Sequence, residues 1–367
     1  MDRIVFAYSG GVEASVAIPW LRAQYKADVV TVTIDIGQGR ELEAVRDRAL
    51  ALGAVRAHVL DWRDEFVREC VLPSLKADAL YDGRSPMAAS LGRPLVARAL
   101  TEIADIEHAT TVAHGGGRRG RKVPLDVLLK ALRPKLHVLA PLRAWDLSPE
   151  AVAAAATRYG MSPPAAAPCR VETNLWGRTI ECPSLDDSWN EPPEDVFTLT
   201  RPARQCPDEP AYVEIAYERG VPVSINGVNM PLSELIGPLG TLAATHGVGR
   251  IDVVDHRVGG ATLRELSEAP SALLLHAGHR DLRRLSAPRE LERFARTISH
   301  EYADLIYSGQ WFSPLRQALD GFVDATQDRI TGVVRLKLFK GASSIVGRVL
   351  GPTAPLRRPA IIPVTTI

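Results

Sequence analysis

Residues Ser9-Gly10-Gly11-Val12-Glu13-Ala14-Ser15 carry the most legible chemistry in this chain. An apolar run over residues 4–8 feeds straight into them, and a helical pattern over residues 14–24 leaves them. A strand, a Ser-Gly-Gly turn and a helix start, in that order, aim backbone N–H groups and a helix N-terminus at one spot. Such a spot favours an anion, above all a phosphate. Two hydroxyls, on Ser9 and Ser15, and one carboxylate, on Glu13, stand beside it. Glycine turns after strands are common and most bind nothing, so the surrounding elements decide the matter.

In the first half, short apolar strands alternate with helical patterns. Strands are predicted over residues 4–8, 29–36, 56–60, 110–114 and 136–140, and helices over 14–24, 41–52, 64–75, 94–106 and 127–132. This alternation reads as a parallel sheet covered by helices on both faces. Ligands of such sheets sit beyond the carboxyl ends of the strands. Residues 9–11, 35–38 and 114–117 all lie there, so three segments should converge on one pocket. Residues 161–168 are rich in Pro and Ala and read as a linker. Beyond them come strands over 213–217, 222–225 and 250–256, and helices over 232–246, 291–308 and 312–326. A hairpin over 329–340 and a Pro-rich tail over 351–367 complete the pattern.

A chain of 367 residues is long enough for two domains. Hydrophobic residues at 46% and charged residues at 24% are ordinary for a globular protein. A formal net charge of +1 supplies no basic field for nucleic acid. The cysteines are Cys70, Cys169, Cys182 and Cys206, with no CxxC pair and no His/Cys ligand spacing. Neither a zinc site nor a disulfide framework is expected, and all four read as reduced structural thiols. Residues 1–8 read as a strand and not as a signal peptide. No apolar run reaches the ~18–20 residues of a membrane span. The expectation is a cytoplasmic protein that binds neither membrane nor nucleic acid.

The turn resembles the Ser-Gly-Gly-x-Asp-x-Ser pyrophosphate loop of the ATP pyrophosphatases, with Glu13 in place of the Asp. Over about residues 1–345 the chain resembles the argininosuccinate synthetase family. The blocks that carry this include Ala7-Tyr8-Ser9-Gly10-Gly11, Asp35-Ile36-Gly37-Gln38-Gly39 and Ala113-His114-Gly115. Asn174-Leu175-Trp176-Gly177-Arg178, Trp189-Asn190-Glu191-Pro192-Pro193, His246-Gly247-Val248-Gly249-Arg250 and Trp311-Phe312-Ser313-Pro314-Leu315-Arg316 carry it in the second half. The resemblance implies an α/β fold: a parallel-sheet nucleotide-binding domain over 1–165, then an α+β synthetase domain over 166–367. It also implies a homotetramer held partly by a C-terminal helix over about 312–327. Family enzymes adenylate the ureido oxygen of citrulline with ATP, release pyrophosphate with Mg²⁺, and let the aspartate amine displace AMP. ATP and Mg²⁺ are the implied cofactors.

Carried over position by position, Ala7, Tyr8, Ser9, Gly10, Gly11, Ile34, Gln38 and Gly115 would bind the nucleotide. Glu13 would orient Mg²⁺, and Ser15 would complete the phosphate cradle. Ile34 stands where the family has a smaller residue, and Ala14 replaces a Thr. The amino-acid sites depart further. Gly117 replaces an aspartate-binding Thr, Arg121 and Lys122 replace an Asn-Asp pair, and Leu125 replaces an Arg. Ser90 matches, but Ser85 replaces a Tyr, Cys169-Arg170 replaces Tyr-Ser, Thr179 replaces a Ser, Asp255 replaces a Glu and Ser267 replaces a Tyr. Arg118, Arg119, Arg121, Lys122 and Arg170 would make the pocket cationic, which suits a carboxylate or phosphate partner. The same run also reads as a solvated basic loop.

The leading expectation is therefore an AMP-forming C–N ligase acting on small anionic or amino-acid-like substrates other than citrulline plus aspartate. A genuine argininosuccinate synthetase and a non-catalytic tetrameric relative are the alternatives.

Overall fold

The computed structural model describes residues 2–39, 41–116, 125–144, 149–162, 169–182, 185, 187–256 and 262–351. Strands β1 (Arg3–Ala7), β2 (Asp28–Asp35), β3 (Arg56–Asp61), β4 (Thr111–His114) and β5 (His137–Leu139) form one parallel sheet. Its order is β3-β2-β1-β4-β5. The central strands are nearly continuous apolar runs because both faces are covered. Val5, Val30 and Val32 pack under the helix Arg93–Ile106 on one side. Ile4, Phe6 and Val29 pack under Val12–Tyr25 and Leu42–Ala51 on the other. The expected elements of this half are all present. The helix expected over 64–75 carries a π turn, Val67–Val71, that carries it past Pro73, a residue with no N–H to offer.

The second half contains β6 (Arg170–Asn174), β7 (Gly177–Glu181), β8 (Ala211–Glu218), β9 (Val221–Ile225), β10 (Val228–Asn229), β11 (Arg250–His256), β12 (Thr262–Glu268), β13 (Gly332–Phe339) and β14 (Ala342–Leu350). They build two antiparallel sheets, β10-β9-β8-β13-β14 and β11-β12-β7-β6. This half corrects the sequence reading at several elements, with β10 and β12 among those absent from it. The hairpin expected over 329–340 is really β13 turning at Lys340-Gly341 into β14, with both turn residues at positive φ. β14 is mostly exposed and mixes Ser, Gly and Arg with Val, so its alternation is faint. β6 and β7 were absent from the reading because β6 is a polar edge strand. The helix Pro270–Ser286 was absent because its buried face carries His276, His279 and Arg283.

The cysteines are a further correction. Cys169 and Cys182 are joined as a disulfide, while Cys70 and Cys206 are free and buried. Their sequence separation of 13 gives no local signal. The β6–β7 hairpin brings them opposite each other, one step beyond the Arg170–Glu181 pair. A cross-link closing a loop of this length stabilises a fold by about 3 kcal/mol.

Among the described residues no helix is long and apolar enough to cross a membrane. The helix expected over 312–327 spans Pro314–Ala325 and packs on Arg289–Tyr307, with Phe294 and Phe322 edge to face at 5.3 Å.

His279 shows what burial does in this layer. Its Nε2 lies 2.9 Å from Gln327 Oε1 inside the core. Burial pushes its imidazole from 6.5 down to about 4. The unfolded chain therefore takes up a proton that the folded one refuses. Stability from this group is complete above about pH 6.5 and is lost as pH falls towards 4. The urea midpoint should fall across that window by the equivalent of about 3 kcal/mol. His279→Gln should flatten the fall, and equal slopes for the two proteins would refute the assignment.

Candidate active site

β1 delivers the glycine turn. Ala7, its last residue, pairs with Val32 on one side and His114 on the other. Gly10 adopts φ +75°, and a Cβ there would lie 2.8 Å from Val45 Cγ2. Its carbonyl accepts a hydrogen bond from Arg48 Nη1 at 2.9 Å. Only glycine fits so close to the helix Leu42–Ala51. Gly11 is extended and begins Val12–Tyr25, whose N-terminus no side chain caps. An uncapped helix start beneath a glycine turn is a ready anion site. Ser9 and Glu13 are exposed beside it. Ser15 points inward, with its hydroxyl 2.7 Å from that of Tyr8, and both side chains are buried. These two support the turn from below.

β2 ends in a second turn. Gly37 N–H donates to Asp35 Oδ1, Ile36 N–H donates to Gln38 Oε1, and Gln38 Nε2 donates to Ile34 O. Ile34 itself is buried in the core. Gly37 sits at φ +92° against Leu175, and Leu175 N–H donates to Ile36 O. The second antiparallel sheet is thereby fastened to the ligand end of the parallel one.

β4 ends in a clasp. His114 Nδ1 accepts from Gly116 N–H at 3.1 Å, and its Nε2 lies 3.1 Å from Asp126 Oδ1. Arg143 donates to Asp126 Oδ2 at 2.6 Å and to Gly116 O at 3.2 Å. An accepting Nδ1 requires the neutral ring, and burial agrees by pushing its pKa below the usual value, with Asp126 opposing. Gly115, beside this clasp, sits at the strand end as expected. Gly117, Arg121 and Lys122 lie outside the described residues, as do Arg118 and Arg119.

The acceptor-side positions gather on the sheet β11-β12-β7-β6. Arg170 pairs with Glu181, Glu172 with Thr179, and Thr179 with Ser267. Alternation therefore puts Arg170, Thr179 and Ser267 on one face. Asp255 occupies β11 opposite Leu263, and its side chain lies outside the described ones. The turn Ala88–Leu91 is tied to this sheet by Asn174 Nδ2 donating to Ala88 O at 2.7 Å, which brings Ser90 alongside. Ser85 is buried, and its Oγ accepts from Met87 N–H.

Residues beyond the sequence expectation join them. Arg93 Nη2 lies 3.5 Å from Glu172 Oε2, and Arg170 Nη2 lies 3.8 Å from Glu172 Oε1. Burial lowers the Arg93 pKa, an effect Glu172 opposes. The period of two from Arg170 could have flagged Glu172. Nothing local could have flagged Arg93, Asp126 or Arg143. Among the described residues no three His, Cys, Asp or Glu side chains are grouped to hold a metal.

The family model of the arginosuccinate synthase N-terminal HUP domain matches residues 3–162, and that of the C-terminal domain matches residues 170–352. The chain belongs to the argininosuccinate synthase family. Argininosuccinate synthase of Gloeobacter violaceus is 46% identical over 94% of this chain and 88% of its own length. The synthase of Trichodesmium erythraeum is 44% identical over 94% and 88%, and that of Chlorobium phaeobacteroides 45% over 95% and 87%. An NAD+ synthetase structure from Burkholderia pseudomallei overlaps at 21% identity and a TM-score of 0.31, over 45% of this chain and 69% of that one. That overlap is too loose to bear on either fold or function. Family membership makes this protein an ATP-dependent, AMP-forming carbon–nitrogen ligase for small-molecule substrates.

The two glycines of the turn separate fold from site. Gly10→Ala would force a left-handed residue against Val45 and is expected to lower stability by about 1–3 kcal/mol. Gly11→Ala meets only Ser9 Oγ at 3.6 Å in extended backbone. It is expected to change stability by less than about 0.5 kcal/mol. Urea titration of both variants checks the pair, and equal losses would contradict the geometry.

Proposed function

We propose that the protein forms argininosuccinate from citrulline, aspartate and ATP. What supports this most is identity of 42–46% to relatives of that name, running through both halves of the chain. This reading replaces the expectation of a different substrate pair as the leading one. The nucleotide domain is assigned to residues 1–165 and the synthetase domain to 166–367, in a cytoplasmic homotetramer.

In this reading the turn Ser9-Gly10-Gly11 and the start of Val12–Tyr25 hold the β- and γ-phosphates. The citrulline ureido oxygen bonds to the α-phosphorus, and the bond to the leaving pyrophosphate breaks. The aspartate amine then attacks the activated carbon, AMP leaves, and the amine proton passes to solvent. Gly115 and the Gln38 turn border the adenosine, with Ile34 and Ala7 beneath. Ser85, Ser90, Arg170, Thr179, Asp255 and Ser267 border the acceptor, and Gly117, Arg121 and Lys122 the aspartate. Mg²⁺ neutralises phosphate charge when bound, and it commonly takes one or two carboxylates alongside phosphate oxygens. Glu13, exposed in the first helical turn beside the glycines, fits that donor set.

One observation favours a second reading, a more anionic substrate pair. Arg170 stands where the family has Ser, and its side chain is 59% exposed. Glu172 is shared between it and Arg93.

The test is pyrophosphate release and product mass from purified protein with Mg-ATP, citrulline and aspartate. Argininosuccinate, AMP and pyrophosphate in equal amounts are expected. Silence there, with release on an anionic amino-acid pair, would transfer the assignment to the second reading. Glu13→Ala is expected to lower turnover by about 10²-fold. Unchanged turnover would remove Glu13 from the site.

A further inference from the structure

Among the described residues β6 is the outermost strand of its sheet and bonds to β7 alone. Its two ends are secured differently. At the far end, Asn174 Oδ1 accepts from Trp176 N–H, Asn174 Nδ2 donates to Ala88 O, and Leu175 N–H donates to Ile36 O. At the near end stands Arg170, exposed, with the Cys169–Cys182 disulfide directly before it. An edge strand of five residues frays from an end with no lateral partner. Here the covalent bond supplies what a second neighbouring strand would supply.

We propose that Cys169 and Cys182 are a redox-modification site, opened by a dithiol, that controls how firmly the Arg170 end of β6 is held against the acceptor side of the active site. Its link to the acceptor rests on the function proposed above, which places the acceptor on this face. The sulfurs differ in access: Cys169 is half-buried, whereas Cys182 is 1% exposed among Ile180, Leu185 and Leu266. A dithiol thiolate therefore attacks Cys169 Sγ. The Cys169–Cys182 bond breaks, a mixed disulfide forms, and the Cys182 thiolate leaves and takes a proton. The second thiol of the reagent then displaces Cys169 as its thiol. Two electrons and two protons pass to the protein, and the dithiol leaves as its cyclic disulfide.

The remaining thiols do not compete. Cys70 is buried, which pushes its thiol up to about 12. Cys206 is buried, and its Sγ donates weakly to Arg201 O and Pro202 O. Redox chemistry is thus confined to the one pair that touches β6. The glycine turn belongs to a different sheet, so the nucleotide side should not sense the change.

The experiment compares full-length protein equilibrated with oxidised dithiothreitol or with dithiothreitol. Thiols titrated after denaturation should number two and then four, as the bonded and free cysteines require. Amide exchange over residues 170–174 should speed up by about tenfold on reduction. The KM for citrulline should rise several-fold with the KM for ATP unchanged. Cys169→Ser should show the reduced behaviour under both conditions, and Cys206→Ser should respond like the parent. Four thiols under oxidising conditions, or exchange that ignores the redox state, would overturn the tether. A citrulline KM that ignores it during turnover would overturn its control of the acceptor. Two thiols and the exchange difference without turnover in either state would keep the tether and overturn the substrate reading instead.

Discussion

A buried carboxylate holds the two halves of this protein in register. Asp78 follows the helical turn Leu72–Lys76 in a left-handed conformation, φ +52°, and faces the helix Pro270–Ser286. Arg280 Nε lies 2.7 Å away, His276 Nδ1 3.1 Å and Arg283 Nη2 3.3 Å. Burial opposes its charge, but the hydrogen bonds from His276 and Arg280 win and hold its pKa well below the carboxylate range. His276 is a neutral ring donating from Nδ1: burial lowers its pKa, Asp78 opposes, and the charges of Arg280 and Arg283 add to the lowering. Glu292 of the next helix takes Arg283 from its other side at 2.9 Å. Removing one partner of such a cluster typically costs about 3–5 kcal/mol, because it strands the others. The network fixes where the second half sits, and with it the distance between the sheet β11-β12-β7-β6 and the glycine turn.

A second buried carboxylate fixes the sheet β11-β12-β7-β6 itself. Glu268, at the end of β12, accepts from the backbone N–H groups of Thr198, Leu199 and Thr200 and from Arg178. Arg178 and Glu268 are also cross-strand partners. A slip of one residue would break this set and turn Thr179 and Ser267 to the opposite face. The register is therefore set by ionic chemistry at one end of the sheet and by the disulfide near the other.

The parallel half was legible because its strands are buried on both faces and read as apolar runs bounded by glycine turns. The turn Ser9-Gly10-Gly11 was legible for the same reason, since strand, turn and helix start follow without interruption. The second half hid its elements where polar residues are buried in pairs. His276, His279 and Arg283 disguise a core helix as a surface one, and the polar side chains of β6 disguise a strand as a loop. The clasp of His114, Asp126 and Arg143 joins residues on three separate elements, so no spacing announces it. Gly116 permits it, since a Cβ there would fall 2.8 Å from the His114 ring. The Cys169–Cys182 pair leaves no trace in cysteine spacing, because only the hairpin brings the two together.

The contact between Gly37 and Leu175 makes the two domains inseparable as units of exchange. A Cβ on residue 37 would fall 2.4 Å from Leu175 Cγ and 2.9 Å from Leu175 N. Gly92 supports this joint from within the first half, with Ile36 Cδ1 2.7 Å and Asn174 Nδ2 3.8 Å from its missing Cβ. The joint between the glycine-turn end of the parallel sheet and the β6–β7 hairpin is thus built from both halves at once. A hybrid joining one relative's first domain to another's second would have to carry residues 36, 37, 92 and 175 as a set. Sequence change is correspondingly easier along β6 than at this joint, where each residue answers to both halves.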